Sequence, residues 1–255
     1  MLTLPVFLLY AYIFVVGSCI GSFLNVVIYR LPKGISIAKG RSFCPNCKHS
    51  LGALDLVPFF SWIFLGGKCR YCKSPISIRY FFVEALGGVF AVISALRFGL
   101  SWGCLFAFAF FSVIICISFI DIDTLEIPNG LLLWLVAPAV FFAFSDQSVS
   151  LAARAVGFIA ISLPMFLLTI AIPDCFGGGD IKLIAVCGFL LGWKNAVLAA
   201  FIAIVSGGIY GALLLATKNA TGKSRFAFGP FLCIGAAAAF LFGDKIIAFY
   251  MTFFK

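Results

Sequence analysis

The chain has 255 residues, of which 64% are hydrophobic and only 11% charged. A soluble domain is nearer half apolar and a quarter charged, so a soluble globular protein is excluded and a polytopic membrane protein is expected. The net charge of +9 is no sign of nucleic-acid binding: nine of the eighteen Lys and Arg fall between Arg30 and Arg79, with Asp55 the only acid there. Such clustering beside membrane spans is what the positive-inside rule describes, and it fits attraction to anionic lipid.

The first apolar run covers residues 2–28. It has no basic segment before it, and the first cation, Arg30, follows it. The run therefore reads as a membrane helix with its N-terminus outside the cytoplasm, not as a cleavable signal peptide.

Residues 29–79 form the one polar stretch that looks like a soluble module, rich in Gly, Pro, Lys, Arg and Cys. It carries Cys44-Pro45-Asn46-Cys47 and Cys69-Arg70-Tyr71-Cys72, two C-x2-C pairs separated by 21 residues. Four thiolates so spaced close a tetrahedral zinc site, each pair making a tight knuckle. The competing reading is two redox-active or idle pairs, and a cytoplasmic location disfavours stable disulfides. The zinc is read as structural, since Cys44, Cys47, Cys69 and Cys72 fill all four positions. His49, the single histidine, is read as a surface residue of this loop. The other six cysteines lie in or beside apolar runs and are read as small hydrophobes.

From residue 80 the chain reads as a membrane helical bundle. Apolar runs cover 80–96, 99–120, 131–144, 155–172, 181–193, 196–217 and 228–249. With the first, they predict an all-α protein of about eight transmembrane helices. The runs 131–144 and 181–193 are shorter than the ~20 residues a span requires. With the 29–79 module inside, alternation brings Asp121, Asp174 and Asp180, then Lys218, Lys223 and Arg225, to the cytoplasmic side. Asp146, Lys194 and Lys255 then fall outside.

Asp121 and Asp180 each sit at the edge of an apolar run, where a carboxylate is costly and marks a functional site. Two carboxyls sharing one proton supply a base for water and an acid for a carbonyl, which is what peptide hydrolysis needs. Pro128-Asn129 breaks the chain before the next helix, Gly177-Gly178-Gly179 admits close backbone approach, and Asp180 opens a helix as its N-cap. The bland alternative makes Asp180 a cap only and leaves Asp121, Asp123 and Glu126 solvated at a loop. A proton- or cation-coupled transporter would use the same pair, but nearer the bilayer midplane.

The sequence resembles the type IV prepilin peptidases, membrane aspartic proteases with a Gly-x-Gly-Asp motif. The resemblance runs through nearly the whole chain. It rests on Gly21-Ser22-Phe23-Leu24-Asn25-Val26-Val27-Ile28-Tyr29-Arg30-Leu31-Pro32, on Ser77-Ile78-Arg79-Tyr80 with Val83-Glu84, on Gly177-Gly178-Gly179-Asp180-Ile181-Lys182-Leu183, and on Phe228-Gly229-Pro230-Phe231. Phe81 stands where members often have Pro. Aligning the family's Leu/Ile-Pro-Asp/Asn element with Ile127-Pro128-Asn129 makes Asp121 the first catalytic acid, with Asp123 the second choice. The resemblance implies leader removal from type IV prepilin-like precursors at the cytoplasmic face of a bacterial inner membrane. It further implies a zinc-binding loop tied to N-methylation with S-adenosylmethionine. No Gly-rich nucleotide fingerprint marks the residues that hold this donor. The motifs also argue against a broader intramembrane aspartic protease.

Overall fold

The computed structural model of the protein describes residues 4–40, 42–172, 175–217 and 226–254. Asp174, Lys218, Lys223, Arg225 and Lys255, used above in the topology, lie outside the described residues. The described chain is nearly all helical. Its ten α-helices are α1 (Leu4–Arg30), α2 (Phe60–Phe64), α3 (Ile78–Phe98), α4 (Trp102–Thr124), α5 (Asn129–Ser145), α6 (Leu151–Ala160), α7 (Ser162–Ala171), α8 (Gly178–Leu191), α9 (Trp193–Ala216) and α10 (Gly229–Met251). Two isolated antiparallel bridges, Phe43 with Ser50 and Lys68 with Pro75, are the only β pairings among these residues.

Each of the eight apolar runs is mostly helical among the described residues. Six helical stretches are long and apolar enough to cross a membrane: Leu4–Lys33, Ile78–Phe98, Trp102–Thr124, Leu151–Ala171, Trp193–Ala216 and Gly229–Met251. The helices α5 and α8 are shorter, at 17 and 14 residues. Large apolar side chains such as Phe7, Tyr12, Phe82, Leu133, Phe166, Phe201 and Phe249 face outward, the surface a helix presents to lipid. The run at 155–172 is split at Ile161 into α6 and α7. Pro164, in the first turn of α7, has no N–H to continue the ladder.

The chain divides into two compact units, one ending at Cys116 and the other beginning at Ile117, so the division falls inside α4. In the first unit, α1 packs antiparallel on α3 through glycines. A Cβ at Gly21 would lie 2.8 Å from the Glu84 Cα, and one at Gly87 would lie 2.9 Å from the Gly21 Cα. This is small-residue packing, in which backbones approach where hydrophobic drive is absent.

In the second unit, Arg154 of α6 is fully buried. Its guanidinium donates to the carbonyls of Phe142 and Asp146 at 3.0 and 3.1 Å and to those of Phe189 and Leu190, and it pairs with the Asp146 carboxylate at 3.4 Å. One side chain thereby donates to carbonyls at the C-terminal ends of both α5 and α8, where intrahelical partners run out.

Candidate active site

Asp121 lies in the last turn of α4 and is 5% exposed. The sequence placed it just after an apolar run; the helix continues through it to Thr124, whose hydroxyl bonds back to the Ile120 carbonyl at 2.9 Å. The chain then reverses at Leu125, φ +56°. The Asp121 Oδ2 accepts a 2.8 Å hydrogen bond from the backbone N–H of Gly229, the first residue of α10. A helix N-terminus offers unpaired N–H groups and a positive dipole end, both of which favour a carboxylate. Asp123, two residues on, is exposed; two positions along a helix is about 200° around it, so it projects from a different face.

Asp180 lies in the first turn of α8 and is half-buried. It is not the N-cap expected above. Gly177 caps the helix in an extended conformation, and Gly178 and Gly179 are already helical. Asp180 is thus the third helical residue, the position from which an acidic side chain reaches back over the helix start. A Cβ at Gly177 would sit 3.1 Å from the Asp180 Oδ2. Asp180 also feels the charge of Asp121, so the two carboxylates are electrostatic neighbours.

Two further residues hold these segments together. Ile127, from the loop after Asp121, lies against both glycine motifs. A Cβ at Gly179 would be 2.8 Å from its Cβ, and one at Gly229 would be 3.3 Å from its Cδ1. Lys182, two residues after Asp180, donates to the Asn129 Oδ1 at 2.9 Å. Sequence reasoning cited Ile127, Asn129 and Lys182 only as parts of motifs, and it missed the Gly229 N–H, a backbone donor that no residue letter advertises.

Four cysteines of the first unit also converge. The Sγ atoms of Cys44, Cys47, Cys69 and Cys72 all lie within 4.8 Å of one another, with Cys44 and Cys72 at 3.8 Å. Zinc–sulfur bonds of ~2.3 Å give a tetrahedral edge of about 3.8 Å, so the residues fit the metal. The two pairs are built alike. The Cys44 N–H bonds to the His49 carbonyl and the Cys69 N–H to the Ser74 carbonyl, and in each knuckle the Lys after the second Cys has positive φ, Lys48 at +59° and Lys73 at +61°. The Ser74 hydroxyl, 3.0 Å from Cys72 Sγ, draws that thiol down to about 6, toward the thiolate a metal needs. Zinc held there would cross-link the knuckles. Asp55 ties the second knuckle to the preceding loop, accepting from Arg70 Nε at 2.6 Å, the Gly52 N–H at 3.1 Å and the Tyr71 hydroxyl at 3.2 Å. His49 is exposed, as expected, with its ring 3.6 Å from that of Tyr71.

Comparison with known proteins follows the same division of labour. Residues 15–98 match the Bacterial Peptidase A24 N-terminal domain, and residues 108–212 match the Type IV leader peptidase family. A prepilin leader peptidase/N-methyltransferase of Aeromonas hydrophila is 33% identical, covering 97% of this chain and 95% of that protein. Proteins of the same name from Bacillus subtilis (strain 168) and Burkholderia pseudomallei (strain K96243) are 32% and 35% identical, covering 94% of this chain in each case and 96% and 87% of the relative. No solved structure matches. With such identity along almost its full length, and with both aspartate motifs folded into one place, the chain belongs to the type IV leader peptidase family.

Proposed function

We propose that the protein removes the leader from type IV prepilin-like precursors and N-methylates the newly exposed N-terminal residue. The observation that carries the first activity is the meeting of Asp121 and Asp180 at adjacent helix ends. One carboxylate, ionised, takes a proton from water, whose oxygen attacks the scissile carbonyl. The other, protonated, donates to the carbonyl oxygen. Like charges held close share one proton, which gives the pair one acid and one base. The Gly229 N–H assigns Asp121 a fixed orientation, while Asp180 stays more accessible to water.

The setting is a bacterial inner membrane, with the N-terminus outside and the aspartates facing the cytoplasm, where a basic leader would wait while the apolar pilin helix stays in the bilayer. In this reading α5 and α8 are partly submerged helices, shielded by their neighbours. The transporter alternative has no support among the relatives, which are named as peptidases and methyltransferases. Zinc at Cys44, Cys47, Cys69 and Cys72 supports the fold of the module, and S-adenosylmethionine supplies the methyl group.

The test is incubation of the purified protein with a prepilin. Wild type releases the leader, while Asp121→Asn and Asp180→Asn, inserted and folded, do not. Normal cleavage by Asp121→Asn together with loss in Asp123→Asn would move the first acid by two residues; normal cleavage by both would end the protease reading.

A further inference from the structure

Phe176, Tyr210, Phe226, Phe228 and Phe231 gather beside the aspartate motifs. Two of these rings are placed alike against the acids. Phe176 directly precedes Gly177, where a Cβ would sit 3.1 Å from the Asp180 Oδ2. Phe228 directly precedes Gly229, whose N–H holds the Asp121 Oδ2 at 2.8 Å. The two ring centroids are 6.0 Å apart and tilted by 47°, so one aromatic pair spans both catalytic segments. Phe231 continues the wall 6.5 Å from Phe228, and Tyr210 and Phe226 pack on Phe231 at 5.4 and 6.1 Å. The helix α9 backs the wall: a Cβ at Gly207 would lie 3.1 Å from Phe228 Cε2 and 3.5 Å from Phe231 Cδ2.

The wall is not closed over. Phe176, Phe228 and Phe231 are half-buried, and Phe226 and Tyr210 are exposed. Lipid does not account for this placement. Phe176, Phe226 and Phe228 stand on non-helical backbone leading into α8 and α10, and irregular backbone is not exposed to hydrocarbon. The rings therefore stand at helix ends beside the acids, where a contiguous apolar surface marks a binding site. Its occupant has to be apolar and has to lie next to the bond that the acids attack. In the precursors proposed as substrates, that is the start of the pilin helix, the apolar segment that follows the cut.

We propose that Phe176 and Phe228, with Phe231 behind them, determine specificity: they form the subsite that receives the first turn of the substrate's apolar segment and so set the scissile bond at the two carboxylates. The inference rests on the leader-removal reading and adds which side of the bond is gripped. A large apolar side chain seated there removes its own surface and that of the rings from water, and ring faces and edges give the contact a preferred geometry. Register follows from the same placement. Each ring is one residue from a glycine that touches a catalytic acid, so a side chain seated on the pair brings the neighbouring peptide bond to the acids. The polar, basic leader gains nothing from this wall, which fixes the direction in which the substrate lies.

The experiment uses full-length protein in detergent and two precursors that differ only in the first helical turn past the cut, large and apolar in one, alanine in the other. Wild type should favour the first by at least about tenfold in kcat/KM for leader removal. Phe176→Ala and Phe228→Ala should shrink that preference to about twofold or less, and Phe228→Leu should restore most of it. Phe249→Ala, which removes an exposed ring near the far end of α10, should keep the wild-type preference. A benzophenone side chain placed in the same turn of the precursor should cross-link wild type within residues 176–177, 207–211 or 226–231. Equal kcat/KM of wild type on the two precursors, an unchanged preference in both alanine variants, or a cross-link mapped elsewhere would overturn the proposal. If the alanine variants misfold, the wild-type preference and the cross-link map decide. Failure of the broader reading looks different: wild type would then cut neither precursor, whereas failure of this subsite alone leaves both precursors cut equally well.

Discussion

The Lys182 ammonium donates to the Asn129 side-chain oxygen at 2.9 Å, joining the two aspartate motifs at the starts of α8 and α5. The far ends of the same two helices are joined by Arg154. The helix that follows Asp121 and the helix that carries Asp180 are thus tied at both ends, which fixes how the two segments meet.

The first prediction tests the near tie. Lys182→Met and Asn129→Ala should each slow leader removal by roughly tenfold, since small misplacements of reacting groups cost rate steeply. Because both remove one hydrogen bond, the double variant should be little worse than either single one. Additive losses in initial cleavage rates would show that the two residues act separately.

The second concerns Gly229. A methyl group there would lie 2.7 Å from the Asp121 Oδ2 and 3.1 Å from its Cγ, closer than real contacts allow. Gly229→Ala should displace the Asp121 carboxylate and lower kcat by about 100-fold with the fold intact. Gly130→Ala is the control, because its added methyl meets open space. Equal activities of the two variants would remove Gly229 from the site.

The third concerns acid stability of the cysteine module. The hydrogen bond from Arg70 holds the Asp55 carboxyl below the usual carboxylate range, with the Gly52 N–H and the Tyr71 hydroxyl adding to it. A depressed folded-state value means that the contribution is full above the unfolded value, about 3.9, and is lost as pH falls through the lower folded value. The melting-temperature difference between wild type and Asp55→Asn should be constant from pH 7 to about pH 5 and shrink below about pH 4. A difference that grows with acidity would contradict this.

The fourth concerns metal. Protein purified without chelator should carry one zinc per chain, and Cys69→Ser, at a buried ligand position, should lose it. Chelation should raise proteolysis within residues 42–77, because binding and folding are coupled in small metal modules. Metal analysis that finds no zinc would refute the assignment.

The fifth concerns Arg154. Removing a buried guanidinium takes a donor from four carbonyls, of which only that of Phe142 keeps another, the Asp146 N–H, so Arg154→Met should cost roughly 3–5 kcal/mol in mixed-micelle unfolding. Asp146→Asn should cost about 1 kcal/mol or less, because the carbonyls keep their partner. The comparison separates capping from ion pairing.

Much of this was legible in the letters. Apolar runs marked the helices, because every backbone group in lipid must be paired within its own segment. Two C-x2-C pairs marked the four cysteines that converge, and two acids at the edges of apolar runs marked the motifs that the fold brings together. The Gly229 N–H was not legible, because every residue but proline carries the same donor. Arg154 was hidden as well: a lone cation in a charge count looks like a topology signal, and only folding shows that it caps two helices. The break at Ile161 and the displacement of the N-cap from Asp180 to Gly177 depend on local hydrogen bonding, which the hydropathy pattern does not encode.

Ile127 touches no proton and carries no charge, yet it is the spacer on which the aspartate segments rest. Its thickness sets the gap between the Gly179 and Gly229 backbones. The distance between the acids is therefore tunable by single methylene groups: Ile127→Val should let the segments close and Ile127→Phe should wedge them apart. A chemistry written in carboxylates is calibrated here by hydrocarbon.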